Sequence, residues 1–147
     1  MAATVKVTYD RKSAMEYIRK LKTSYAESMI EFRESAATKG VEIVKGHIIR
    51  QDLDWDRLAP ITEKRKGHGR KWIDSGLLLN NIAYNANNSI IRIGVKEGVH
   101  YPNGAKLSSV MEWVEEGKKK GSVPPRPLFV PSSEELNHRH LCRHLSF

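Results

Sequence analysis

Ser89-Ile90-Ile91-Arg92-Ile93-Gly94-Val95 alternates Ile91, Ile93 and Val95 with Arg92 and Gly94. A period of two puts every second side chain on one face of a strand. Just before it, Asn85-Ala86-Asn87-Asn88 is a turn signal. Leu77 to Tyr84 is apolar enough for a short helical turn leading into a second strand, over Leu79–Tyr84. The stretch therefore predicts an antiparallel hairpin, which excludes an all-helical fold.

Working outward toward the N-terminus, residues 11–50 carry helical periodicity. Ala14, Ile18, Leu21, Tyr25, Met29, Phe32 and Ala36 recur three or four residues apart, and Val41, Val44 and Ile48 continue the stripe. Ser24, with Glu27 three residues on, predicts a break near Thr23-Ser24 and the start of a second helix. Gly40 inside that helix predicts a kink or a close contact. Before the helices, Val5, Val7 and Tyr9 alternate with Lys6 and Thr8, the pattern of a short strand, and Asp10 is placed to cap the first helix. Between 51 and 72 the apolar positions thin to Trp55, Leu58 and Ile61, and Pro60 is read as a helix stop.

Toward the C-terminus, Leu107, Val110, Met111 and Val114 have helical spacing, with Ser108 or Ser109 as the cap and Gly117 as the end. Pro124-Pro125-Arg126-Pro127 is a stiff extended segment that presents Arg126 and feeds Leu128 and Phe129 into the core. Arg126 is expected to fix that segment through a bidentate bond to a carboxylate or to backbone carbonyls. Leu128 to Val130 reads as a short strand. Ser132-Ser133-Glu134-Glu135 reads as a capping box that opens a final helix. The expectation is an α+β fold: long N-terminal helices packed on a small antiparallel sheet, with a C-terminal helix. One domain spans 1–147, made of an N-terminal strand and helices (1–50), a mobile basic loop (62–72), the hairpin and sheet (77–131) and the C-terminal helix (132–147).

Composition bounds the function. The 147 residues are 39% hydrophobic, below the roughly 45–50% of ordinary globular domains, so the core is thin. The formal net charge of +8 favours contact with nucleic acid, an acidic protein or an anionic surface. With Cys142 as its only cysteine the chain forms no internal disulfide. No run approaches the ~20 apolar residues that span a bilayer, and the first residues lack the design of a signal peptide. A soluble cytoplasmic product without membrane contact is expected.

Catalytic chemistry has no foothold in the sequence. His138, His140, Cys142 and His144 suggest zinc. On a helix, however, residues two apart point roughly 200° apart, so the four divide into two pairs of two ligands, and no metal site is expected. Gly67-His68-Gly69 lacks the strand–helix context of a phosphate loop. Glu112, Glu115 and Glu116 read as a solvated helix face. No nucleophile is paired with a base, so neither an enzyme nor a cofactor is expected. The run Lys64-Arg65-Lys66-Gly67-His68-Gly69-Arg70-Lys71 leaves three readings open: a DNA-facing arm, a strap onto a neighbouring subunit, or a solvated loop. No helix-turn-helix or zinc-finger pattern accompanies it.

Several segments in order carry a resemblance. Trp55 through Pro60 to Thr62 is similar to a tryptophan segment ending in Pro-Xaa-Thr. The lysine-rich stretch 64–71 comes next. Asp74-Ser75-Gly76-Leu77 resembles an aspartate-threonine-glycine-leucine signature, and Ile91–Gly94 a strand ending in glycine. Glu112-Trp113 to Gly117 is similar to a segment of glutamate, aromatic and glycine, and Pro124, Arg126, Pro127 and Phe129 to a Pro-Ala-Arg-Pro-Phe signature. Together these resemble the tail-completion or neck proteins of tailed bacteriophages, of the Mu virion-morphogenesis and lambdoid minor-tail kind. The resemblance implies a non-enzymatic subunit of a ring at the neck or proximal tail, assembled in the host cytoplasm. Its implied partners are copies of itself, neighbouring connector and tail proteins, and DNA passing through the lumen. Lys64, Arg65, Lys66, Arg70 and Lys71 are the expected inter-subunit or DNA-facing residues. The charge alone also fits a basic accessory protein that binds DNA without reading sequence.

Overall fold

The computed structural model describes residues 10–87, 90–118 and 123–141. The expected strand at Val5–Tyr9 lies outside them, as does Cys142. The protein is α+β, with a long N-terminal helix, a two-stranded antiparallel sheet and a C-terminal helix. The chain forms two compact units, Met1–Glu34 and Ser35–Phe147.

Helix α1 runs from Arg11 to Arg50. Asp10 caps it: its carboxylate accepts from the N–H groups of Lys12 at 3.1 Å and Ser13 at 3.2 Å. The bond to the Ser13 hydroxyl and those two N–H bonds hold the carboxyl below its ordinary pKa. The break expected near Thr23-Ser24 does not occur. Instead the Thr23 hydroxyl donates to the Arg19 carbonyl at 3.1 Å, so the polar side chain is satisfied inside the helix and no cap is needed. Within the first unit α1 is the described element, and none of residues 11–34 is buried.

In the second unit α1 buries Ala36, Ala37, Gly40, Ile43, Val44, His47 and Ile48. Gly40 marks a close contact, since a Cβ there would collide with Ile93 Cδ1 and lie 3.3 Å from Leu136 Cδ2. Helix α2 (Pro60–Lys66) comes after it. Pro60 begins this helix rather than barring one, because the first helical position has no N–H bond to lose. The basic stretch is therefore helical as far as Lys66. Helix α3 (Leu77–Asn80) then leads into β1 (Ile82–Ala86), which pairs with β2 (Ile91–Val95). The register sets Ile82 opposite Val95, Tyr84 opposite Ile93 and Ala86 opposite Ile91. One face of the hairpin thus carries the apolar set, and Ile93 and Val95 pack on the core.

Helix α4 (Leu107–Glu116) starts at Leu107 with Lys106 at its cap position and no side-chain cap, so neither Ser108 nor Ser109 serves there. Helix α5 (Phe129–Leu136) continues into a π-helical turn, Asn137–Leu141. Leu128 to Val130 do not form a strand, and α5 begins at Phe129, ahead of the expected capping box. Ser132 and Ser133 lie inside it, their hydroxyls donating to the carbonyls of Leu128 and Val130. The core of the second unit joins Val44, Ile48, Trp55, Trp72, Leu78, Ile82, Leu107 and Leu128.

Candidate functional site

The segment Pro124–Pro127 lies where several distant stretches of chain converge. Trp55 donates its indole N–H to the Pro127 carbonyl at 2.7 Å, and Trp72 donates to the Arg126 carbonyl at 3.1 Å. A proline segment lacks the N–H donors to join a ladder, and its carbonyls accept from the two indoles where water is excluded. The rings lie 6.5 Å apart, and Phe129 meets Trp72 edge-on at 6.1 Å. Trp72 adopts φ 61°, a left-handed conformation that is an outlier for so bulky a side chain. Burial and the bond to Arg126 hold it there.

Arg126 is only 4% exposed. Its Nε donates to the Asp56 carbonyl and one terminal nitrogen to the Arg57 carbonyl, both at 3.2 Å. Of the two kinds of partner the sequence leaves open, backbone carbonyls take the bond. Burial lowers the guanidinium pKa, and the charge of Asp56 partly restores it. The backbone N–H of Arg126 also donates to the Val114 carbonyl at 2.8 Å, tying the proline segment to the end of α4. There Gly117 has φ 76° and ψ 173°, a region open essentially to glycine alone. A Cβ at Gly117 would sit 2.8 Å from the Val123 carbonyl oxygen.

Glu115 does what no local pattern announced. Its carboxylate accepts from the N–H of Leu128 at 2.8 Å and of Phe129 at 3.1 Å, and so caps α5 from another helix. Burial raises its pKa, and the N–H donors of Leu128, Phe129 and Val130 pull it partly back. It is half-buried, and the solvated face expected for the glutamates of α4 does not include it.

Beside this junction is a cleft of about 470 Å³. Thr62, Arg65 and Lys66 come to it from α2, Asp74 from the turn before α3, Tyr101 from a loop, Trp113 from α4, and Pro124 and Arg126 from the proline segment. Lys66 is half-buried and donates to the Arg70 carbonyl at 3.1 Å. Burial lowers its pKa, with Asp74 opposing and Arg65 and Arg126 adding to the shift. Burial raises the pKa of Tyr101, and the Asp74 charge adds to it. Lys118 stands 4.2 Å above the exposed Trp113 ring.

The five basic residues do not act alike. Arg65 and Lys66 line the cleft, and Lys64 is exposed. Arg70 donates to the Ile49 carbonyl at 2.9 Å, satisfying an end carbonyl of α1. The Lys71 N–H is held by Gln51 at 2.7 Å. Ser75 and Gly76 form the turn before α3: the Ser75 hydroxyl accepts from Leu77 N–H at 3.4 Å, and Gly76 has φ 79°. Leu77 packs on the core. Gly94 sits in β2 with nothing within 4 Å of a Cβ placed there. Sequence reasoning passes over Trp72, Glu115, Tyr101 and Lys118 as site residues; Trp72, flanked by the basic run and Ile73, carries the one usable signal. No group of three or more His, Cys, Asp or Glu residues suited to a metal occurs among the described residues, and no described helix is long and apolar enough to cross a membrane. The arrangement presents a cationic cleft with aromatic walls beside a hydrogen-bonded junction.

No family model, curated protein or solved structure matches the chain.

Proposed function

We propose that this protein is a structural subunit of a tailed-phage neck or tail-completion ring, joining head to tail while DNA passes through. The observation that supports the reading is the convergence of segments resembling that family. Trp55 bonds Pro127, Arg126 bonds the carbonyls of Asp56 and Arg57, Gly117 abuts Val123 and Pro125, and Thr62, Asp74 and Pro124 share one cleft. Trp55, Arg126 and Gly117 thus brace the second unit around the proline segment. In this reading a closed ring uses two different patches per subunit. Lys64, Arg65 and Arg70 meet acidic neighbours, where charge complementarity sets register and on-rate.

Purified virions test it. Labelling with an antibody to this chain is expected to mark the head–tail junction in several copies per particle. Reversing the charge of Lys64, Arg65 and Arg70 is expected to leave separate heads and tails that do not join. Absence of the protein from virions overturns the reading. The runner-up, a basic DNA-binding accessory protein, draws on the exposed cations of the same segment and the +8 charge. It requires the free subunit to bind arbitrary duplex DNA with a steep salt dependence.

A further inference from the structure

Among the described residues, none of the four cations around the cleft, Arg65, Lys66, Lys118 and Arg126, makes an ion pair with a carboxylate. Among the described residues Asp74 is the one acidic side chain that lines it, and the Asp56 carboxylate acts on Arg126 through its charge while its backbone carbonyl takes the hydrogen bond. Two of the four are committed elsewhere in part: Arg126 to carbonyls, Lys66 to the Arg70 carbonyl. Neither bond neutralises a charge. Burying a cation without a counter-charge costs free energy, and at Lys66 burial outweighs the help from Asp74. The walls between the cations include the apolar or aromatic Leu58, Tyr101, Val110 and Trp113, beside the polar Thr62 and Asn103.

We propose that this cleft binds an acidic peptide segment of a partner protein, seating carboxylates against Arg65, Lys66 and Lys118 and one large apolar side chain against Trp113 and Tyr101. A peptide is favoured over nucleic acid by where the charge lies. A single strand is held along a basic groove long enough for several nucleotides, whereas here Arg65 and Lys118 are exposed, Lys66 is half-buried and Arg126 buried, all around one recess of about 470 Å³. That volume is at the lower end of pockets that enclose a small ligand, so it admits a few residues rather than a folded domain. Arg65 and Lys118 have no hydrogen-bonded carboxylate to surrender first. Identification of the partner as a neighbouring neck subunit rests on the proposed ring; the chemistry of the cleft does not.

The isolated protein provides the test, so the result stands apart from whether the chain is found in virions. The probe is a hexapeptide of five glutamates and one leucine, titrated by calorimetry and by tryptophan emission. Trp113 is 42% exposed and Trp72, though buried, also lines the cleft, so the optical signal is expected to shrink but not vanish in Trp113→Phe. One site per chain is expected. The paired change Arg65→Glu and Lys118→Glu is expected to weaken binding at least tenfold, and Lys96→Glu, an exposed lysine that does not line the cleft, to leave it within twofold. Circular dichroism of each variant checks that it is folded. Equal weakening by Lys96→Glu reduces the effect to net charge and overturns the proposal. So does failure of the hexapeptide to bind. A single-stranded oligonucleotide that binds more tightly, and loses binding in the paired variant, reassigns the cleft to nucleic acid.

Discussion

Between residues 35 and 50, α1 buries Ala36, Ala37, Gly40, Ile43, Val44, His47 and Ile48; between residues 11 and 34 it buries none, and Met15, Tyr17, Leu21 and Tyr25 are more than half exposed. Both halves have apolar residues at helical spacing. Periodicity alone therefore reports that a helix has an apolar face, not what covers that face. In the second half the face is met by the hairpin, by α5 and by the core around Trp55 and Leu128. In the first half no described residue buries it, and side chains left in water gain no transfer free energy.

Substitutions can break or sharpen that contrast. The largest effect is expected at Ile48, which has no exposed surface. Ile48→Asp leaves an unpaired charge in the core at a cost of roughly 4 kcal/mol or more, a large part of a total stability of about 5–15 kcal/mol. Loss of soluble, cooperatively melting protein is expected, and a normal melting temperature would erase the distinction between the halves. Gly117→Ala comes next. It sharpens the picture by showing that the proline segment helps hold the second unit together. Backbone strain at that φ and ψ costs about 1–3 kcal/mol, and the approach to the Val123 carbonyl adds to it, so the chemical denaturation midpoint should fall with the slope unchanged. The smallest effect is expected at Leu21, 52% exposed. Leu21→Ser should change unfolding free energy by no more than about 0.5 kcal/mol; a loss as large as that of Gly117→Ala would mean that the first half is covered after all.

Features decided by neighbours in sequence are legible. The hairpin comes from alternation at Ile91, Ile93 and Val95, α1 from its stripe, and the cap from Asp10. Features decided by distant residues are not. Ser132-Ser133-Glu134-Glu135 has the pattern of a capping box, but α5 takes its cap from Glu115, thirteen residues before Leu128. No window around either end contains that information. Ser24 and Glu27 also match a helix start, yet the helix runs on through them, because a cap motif acts only where the backbone has donors to satisfy. A proline suggests first what it forbids, while the position of Pro60 at the start of α2 depends on what it permits. At the cleft, the sequence singles out Arg65, Lys66, Asp74 and Arg126 but not Tyr101 or Lys118, which join them only through the path of the folded chain.

The two indole bonds also set an order of events in time. Trp55 waits for a carbonyl 72 residues farther along the chain, and Trp72 for one 54 residues on. Helix α1, made of local contacts, can form in about a microsecond, whereas contacts of this span require a long loop to close first and so form late. Until the proline segment arrives, both indoles and Phe129 present sticky surface to any other chain nearby. During synthesis the tryptophans emerge well before the carbonyls that will quieten them. The interval between the two is the period in which a newly made copy is most open to misassociation, and its length is fixed by the spacing of these residues in the sequence.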